Sequence, residues 1–377
     1  MKPAVATTPY PEVSAPAYTR WLLAGAVLLG MLVSGAAALR SLIEPPLLML
    51  TAIVVVLLWA SALSLRVLRY RINRYNAQCY DQAIAFEHQA WWARHRQKAG
   101  LLQSVLVSPV CAQPEQVTAL FGADAAPPVV SPSLQAPAIR LAQVLSPEGS
   151  ARECELAVLL ALKWQALRDG AQALQPLSCY WQGSAAGWQA FREQVALGGP
   201  EVILPEEPLS WEGLQSLDVI IDHLHAAPAG TRILCAGSQS TVPDSAQRMP
   251  AGEAAVLWVL GKTGLVMLPR GEWFAAGAES LAAVAERALE QSEMSAPAAA
   301  CASLSQPGEQ DEPALLWRVK AQRQDANFGA LGGLEALVMQ TVAAWYAEQH
   351  GTPCAWLASD PDHALTLGIV TLDDPNN

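Results

Sequence analysis

Two stretches near the start set the first constraint on this chain. Trp21–Leu39 (WLLAGAVLLGMLVSGAAAL) and Leu47–Leu65 (LLMLTAIVVVLLWASALSL) carry no charged residue, and a helix of about 20 apolar residues is what crosses the ~30 Å hydrocarbon core of a bilayer. The link between them, RSLIEPP, sets Arg40 against Glu44, and Pro45 with Pro46 stops one helix before the next begins. The pair predicts a transmembrane helical hairpin over residues 20–66. Arg66, Arg69, Arg71 and Arg74 follow the second run, while Lys2 and Arg20 precede the first. Cationic flanks stay on the cytoplasmic side. The expectation is therefore a two-span membrane protein, its hairpin in membrane lipid and both termini cytoplasmic. A cleaved secretory signal is the competing reading of the first run, and a second span following at once argues against it.

The net charge is -11 although residues 66–98 are basic, so the rest of the chain is more acidic than the whole. That balance argues against a nucleic-acid surface, and the arginines suit topology and anionic headgroups. Seven scattered cysteines without a CxxC pair fit reduced thiols in a cytosolic domain rather than a disulfide framework or a zinc site. No cofactor or metal is expected.

Residues 1–19, rich in Pro, Ala and Thr, read as a disordered lead. Residues 67–100 read as a juxtamembrane helix, Asn76 to Gly100 placing Ala83, Phe86 and Trp91 at helical spacing. His88 and His95 on it are expected on a solvated face. From Leu101 onward, strand-like runs alternate with amphipathic ones. Strands are predicted at 104–110, 177–181, 200–205 and 231–237, and helices at 151–167, 185–196 and 211–227. Later come two strands around the turn Gly261-Lys262-Thr263-Gly264, a helix at 275–292, a strand at 315–322, a long helix at 331–349 and a closing hairpin. Such alternation predicts an α/β fold with a mixed sheet over residues 101–377.

Isolated motifs carry little chemistry. Val256 stands where a phosphate loop requires glycine, and strand rather than helix follows Lys262-Thr263. His223, His225 and His350 sit at helix C-termini, where the helix dipole favours them. No GxSxG, HExxH or dinucleotide fingerprint is present.

Two stretches taken together resemble the thiolase-like condensing enzymes, most closely the β-ketoacyl synthases. One is RILCAGSQSTVPDSAQRMPAGEAAVLWVL (232–260), with its Gly-Glu-Ala between loop and apolar strand. The other is KAQRQDANFGALGGLEAL (320–337), and the hairpin CAWLASDPDHALTLGIV is similar to the closing strands of that fold. The resemblance implies a thiolase-like fold of layered mixed sheets with helices. It also implies an acyl-carrying cysteine at the start of the helix Trp211–Ala227, and two histidines.

The matching positions lack all three groups. Ser210 is the nearest hydroxyl to that helix start, no histidine occurs in SLSQPGEQDEP, and Phe328, Gly329 and Ala330 occupy the second histidine's region. Lys320 and Glu335 remain at matching places. The expectation is a catalytically inactive scaffold or adaptor that recruits protein partners, similar to accessory proteins of bacterial type VI secretion, including adaptors that load a lipase-type effector. The resemblance further implies a homodimer through the strand ILCAG (233–237). Trp91, Trp92, Trp211, Trp258 and Trp273 are candidate anchors for a partner. An alternative is a membrane-associated acyltransferase or condensing enzyme using Cys235 or Ser210 with His223 or His225 as base. An acyl-chain-binding module without turnover is a third.

Overall fold

The computed structural model describes residues 8–11, 13–39, 44–111, 113–122, 127–128, 130–132, 136–147, 149–168, 174–244, 249–275, 277–304, 317 and 323–373. The chain divides into two compact units, residues 2–92 and 93–377. The predicted strand at 315–322 and Lys320 lie outside the described residues, apart from Trp317.

The first unit is built on two helices, α1 (Tyr18–Leu39) and α2 (Pro45–His95, whose last three residues belong to the second unit). Both are long and apolar enough to cross a membrane. Their apolar runs are exposed along most of their length, as lipid-facing residues would be. The sequence suggested a span and a separate helix; α2 is instead continuous, because no Gly or Pro interrupts residues 47–95. Gly25 faces Trp59 so closely that a Cβ would lie 2.7 Å from the indole.

Part of the predicted disordered lead is ordered along α2. Arg66, Asn73 and Tyr80 donate to the carbonyls of Ser14, Pro11 and Thr8 at 3.1, 3.3 and 3.1 Å. Seven helical residues rise about 10.5 Å, and three residues of extended polyproline-like chain span about 9 Å. The two repeats therefore keep step.

The second unit holds β1 (Ala99–Val107), α3 (Val117–Leu120), β2 (Ser131–Pro132), β3 (Pro137–Ala138), α4 (Gly149–Leu167), β4 (Ser178–Gln182), α5 (Ala185–Leu197), β5 (Leu209–Ser210), α6 (Leu214–Ala226), β6 (Ile233–Ser240) and β7 (Glu253–Gly261). Then follow β8 (Val266–Leu268), β9 (Glu272–Trp273), α7 (Leu281–Gln291), β10 (Ala300–Ser303), α8 (Asp325–Phe328), α9 (Glu335–His350), β11 (Cys354–Ala358) and β12 (Thr366–Leu372). Serine caps start α5 and α7: Ser184 accepts from Gly187 N, and Ser280 from Ala283 N. Each such cap contributes about 1 kcal/mol.

The sheet order is β10-β11-β12-β8-β1-β7-β6-β4-β5, with β9 on β12. It contains one plan twice. In β4-β6-β7-β1 the successive pairs are parallel, antiparallel and antiparallel, and in β10-β11-β12-β8 the same sequence of pairings recurs. The edge strand β5 beside β4 has its counterpart in the parallel bridge of Arg323 to Ser303 of β10. First strands β1 and β8 join the halves antiparallel.

Three cores sandwich this sheet. α4 and α5 bury Leu156, Leu160, Trp164 and Phe191 on one face of the first half. α6 and α9 form the middle core with Leu217, Ile220, Val338 and Val342. α7 covers the second half with Leu281, Val284 and Ala288. α9 is buried nearly all round, as a helix inside a layered core must be.

Three sequence expectations change. Residues 200–205 are not a strand; only Val202 bridges to Leu174, and the strand before α6 is β5. β7 and β8 do not form a hairpin, because β1 lies between them. ILCAG belongs to β6, whose two sides already pair with β4 and β7. It has no free edge to offer a second copy.

Candidate functional site

The stretches singled out in the sequence meet in the fold. Gly252 N donates to Ala330 O (3.0 Å) and Ala330 N to Pro250 O (2.9 Å), so the Gly-Glu-Ala turn and the loop 328–330 are backbone partners. Gly252 has no room for a Cβ against the Phe328 and Ala330 carbonyls. Next to it, Glu253 is fully buried and held by Arg152 at 2.7 Å and Arg140 at 3.3 Å. The closing hairpin joins through Ser359, which accepts from Ala336 N and donates its hydroxyl to Glu335 at 2.5 Å. Burial pushes the Glu335 carboxyl up, opposed by that hydroxyl.

α6, the helix to which the resemblance assigns the reactive residue, begins at Gly213. The sequence reading placed the hydroxyl of Ser210 nearest this start; Ser210 is instead an exposed edge-strand residue opposite Trp181. Gly213 is the N-cap, at φ 61° and ψ -134°, a conformation open to glycine almost alone. The space in front of it is taken by Asp360, which a Cβ on Gly213 would strike.

Asp360 is fully engaged. Its Oδ2 accepts from Leu214 N at 2.9 Å, satisfying one of the orphan amides of the α6 N-terminus. Its Oδ1 accepts from the amides of Asp362 and His363 and from His363 Nδ1 at 2.9 Å. The His363 ring stacks on Trp273, centroids 4.9 Å apart. A ring donating from Nδ1 presents a basic Nε2, yet no described side chain hydrogen-bonds to that nitrogen. The sequence reading passed over Gly213, Asp360 and His363. The spacing of Asp360 and His363 in a tight turn was the available signal.

The other candidates are scattered. Cys235 is buried in the middle core, where burial raises its thiol far above the ordinary range. Burial likewise pushes Cys111, Cys179 and Cys301 up to about 12. Such thiols are inert at neutral pH. His223 and His225 lie in the last turn of α6, the end opposite Gly213, with His225 Nε2 3.0 Å from Lys98 O. His95 is not solvated: its Nε2 lies 2.8 Å from buried Glu272, because β9 and α7 bring Glu272 and Gln291 onto it. Lys262 follows β7 and is succeeded by β8, so no helix start follows the Gly-Lys-Thr turn. Trp211 and Trp258 are core residues, while Trp273 is 37% exposed. Among the described residues, no three His, Cys, Asp or Glu side chains gather as a metal site.

No protein-family model and no curated protein matches the chain. Among solved structures, it is similar to ChlB3, titled an acyltransferase, at 14% identity over 74% of this chain and 98% of that one, TM-score 0.44. It is similar to the ishigamide ketosynthase/chain length factor at 15% identity over 74% and 100%, TM-score 0.47. A ketosynthase from module 1 of the bacillaene synthase of Bacillus amyloliquefaciens FZB42 is similar at 12% identity over 74% and 77%, TM-score 0.46. The mixed α/β sheet with covering helices is the fold class the sequence implied.

Proposed function

We propose that this chain is a catalytically silent, thiolase-like scaffold anchored in a bacterial inner membrane by two spans. In this reading both termini are cytoplasmic, and the protein recruits partners in a type VI-like secretion system. The observation that carries the reading is the pair Gly213 and Asp360. At the helix start where the resemblance expects a nucleophile there is no side chain, and an internal carboxylate fills the space before it. A nucleophilic mechanism requires both a nucleophile and a base within reach.

The test is affinity capture of the full-length protein from detergent, beside the chain lacking residues 1–92, with mass spectrometry of what is retained. Secretion components or an effector retained by both forms support the scaffold. Acyl carrier protein, or an acyl group released by hydroxylamine, would overturn it.

One observation favours a second reading, an acyl-transferring enzyme. The Asp360–His363 pair has the orientation of a general base. If that reading is right, His363→Ala abolishes turnover of an acyl thioester while leaving the fold intact.

A further inference from the structure

β1 is paired fully on one side only. β7 runs beside it from Gly100 to Val107, whereas β8 covers Ala99 to Leu101 and then stops. A register shift between Leu101 and Gln103 leaves Leu102 exposed. Residues Leu101 to Leu106 then line one trough of about 560 Å³, open to solvent at Leu102, Gln103 and Ser104 and floored by the buried Val105 and Leu106. Alternate side chains of a strand point to opposite faces, so a cavity touched by every residue in turn follows the edge of the strand. The walls agree. Trp164 of α4 donates to Gln103 Oε1 at 3.2 Å on one face, and Trp345 of α9 donates to Ser104 Oγ at 2.7 Å on the other. Leu167 and Leu265 border the trough, 63% and 60% exposed, and Lys163 and Glu348 give it one charge of each sign.

A strand paired on one side leaves alternate N–H and C=O groups unpaired on the other, and no described strand pairs with the outer side of β1 beyond Leu101. Those peptide groups discriminate among occupants. An acyl chain would cover the leucines and offer the peptide groups nothing. A second copy would have to present its own β1 edge, which α4 and α9 flank in both molecules. An extended peptide meets both demands, with its backbone toward the outer edge of β1 and apolar side chains toward Leu102, Leu167 and Leu265.

We propose that the β1 trough is a docking site for an extended segment of a partner protein, apolar at alternate residues, which adds to the sheet beside β1. The inference gives the scaffold reading a surface, and rests on that reading only for what the partner belongs to.

The test pans a random-peptide phage library against the full-length protein in detergent and against its Leu167→Glu, Leu265→Glu double variant. Both positions are exposed, and an unchanged melting curve confirms that the variant is folded. Enriched peptides should alternate apolar and polar residues, bind the variant at least about tenfold more weakly, and slow exchange of those amides among residues 102–104 that face away from β7. Four results would overturn the proposal: no enrichment, equal binding to the variant, protection of the outward-facing amides of residues 102–104 before any peptide is added, or a variant that changes oligomeric state without peptide. Failed capture of secretion components with peptide binding intact would remove the secretion reading and leave the trough. Recovered partners without peptide binding would do the reverse.

Discussion

The carboxylate of Asp360 occupies the space that any side chain on residue 213 would need. Gly213→Ala should therefore destabilise the second unit by about 1–3 kcal/mol from the backbone alone, and further through the clash. Asp360→Gly removes the clash but also the hydrogen bonds that this carboxylate accepts, so the double variant should lose less than the sum of the two single losses. Thermal unfolding of both single variants and the double variant forms a cycle, and strict additivity would show that the two positions do not share that space.

Glu253 is buried between Arg140 and Arg152 and also accepts from Leu141 N at 2.5 Å. Glu253→Gln leaves two guanidiniums without their counter-charge. Breaking a buried ion pair in this way costs about 3–5 kcal/mol. A variant melting within a degree of the wild type would refute the anchoring role.

Asp222 sets a pH dependence. The Arg94 hydrogen bond foremost, then Arg270 at 2.7 Å, hold its carboxyl down to about 2 against a burial that would raise it. A depressed carboxylate stabilises the fold above its unfolded value near 3.9, and that contribution disappears as pH falls toward 2. The stability difference between wild type and Asp222→Asn should shrink over that window. Added salt should reduce it as well, because the Arg94 side chain is 70% exposed. Melting curves at stepped pH would reveal a constant difference if the pairing is idle.

The topology makes a labelling prediction. Cys79 on α2 is the one fully exposed cysteine among the seven. A membrane-impermeant maleimide should label it in inverted vesicles and not in intact spheroplasts, whereas a Ser41→Cys, Cys79→Ser double variant should show the opposite pattern. Labelling of Cys79 from outside would invert the orientation proposed from the arginines.

Much of this architecture was legible because its signals are periodic and local. The apolar stripe of 151–167 and the runs ILCAG and AAVLWVL gave α4, β6 and β7 nearly as they stand. What escaped was pairing and silence. The apolar run PEVILP resembles a strand, but whether it pairs is decided by neighbours far along the chain. Gly261-Lys262-Thr263-Gly264 resembles a hairpin turn, yet β1, about 150 residues earlier, comes between its arms. The buried pairing of His95 depends on Glu272 and Gln291, which no helical spacing could announce. Gly213 was passed over because a glycine advertises no chemistry; only its dihedral angles and Asp360 make its place meaningful.

The lead along α2 has a consequence for inheritance. Three of its contacts are accepted by main-chain carbonyls of Thr8, Pro11 and Ser14, groups that nearly any residue supplies equally well, beside the Ser14 hydroxyl on Arg66 and the Tyr10 ring on Tyr80. Substitutions away from Tyr10 and Ser14 should be tolerated, whereas gaining or losing one residue between the three carbonyls shifts every later one off its donor. Relatives of this protein should diverge in the letters of this segment while holding its count, so that descent here preserves a measure rather than a text.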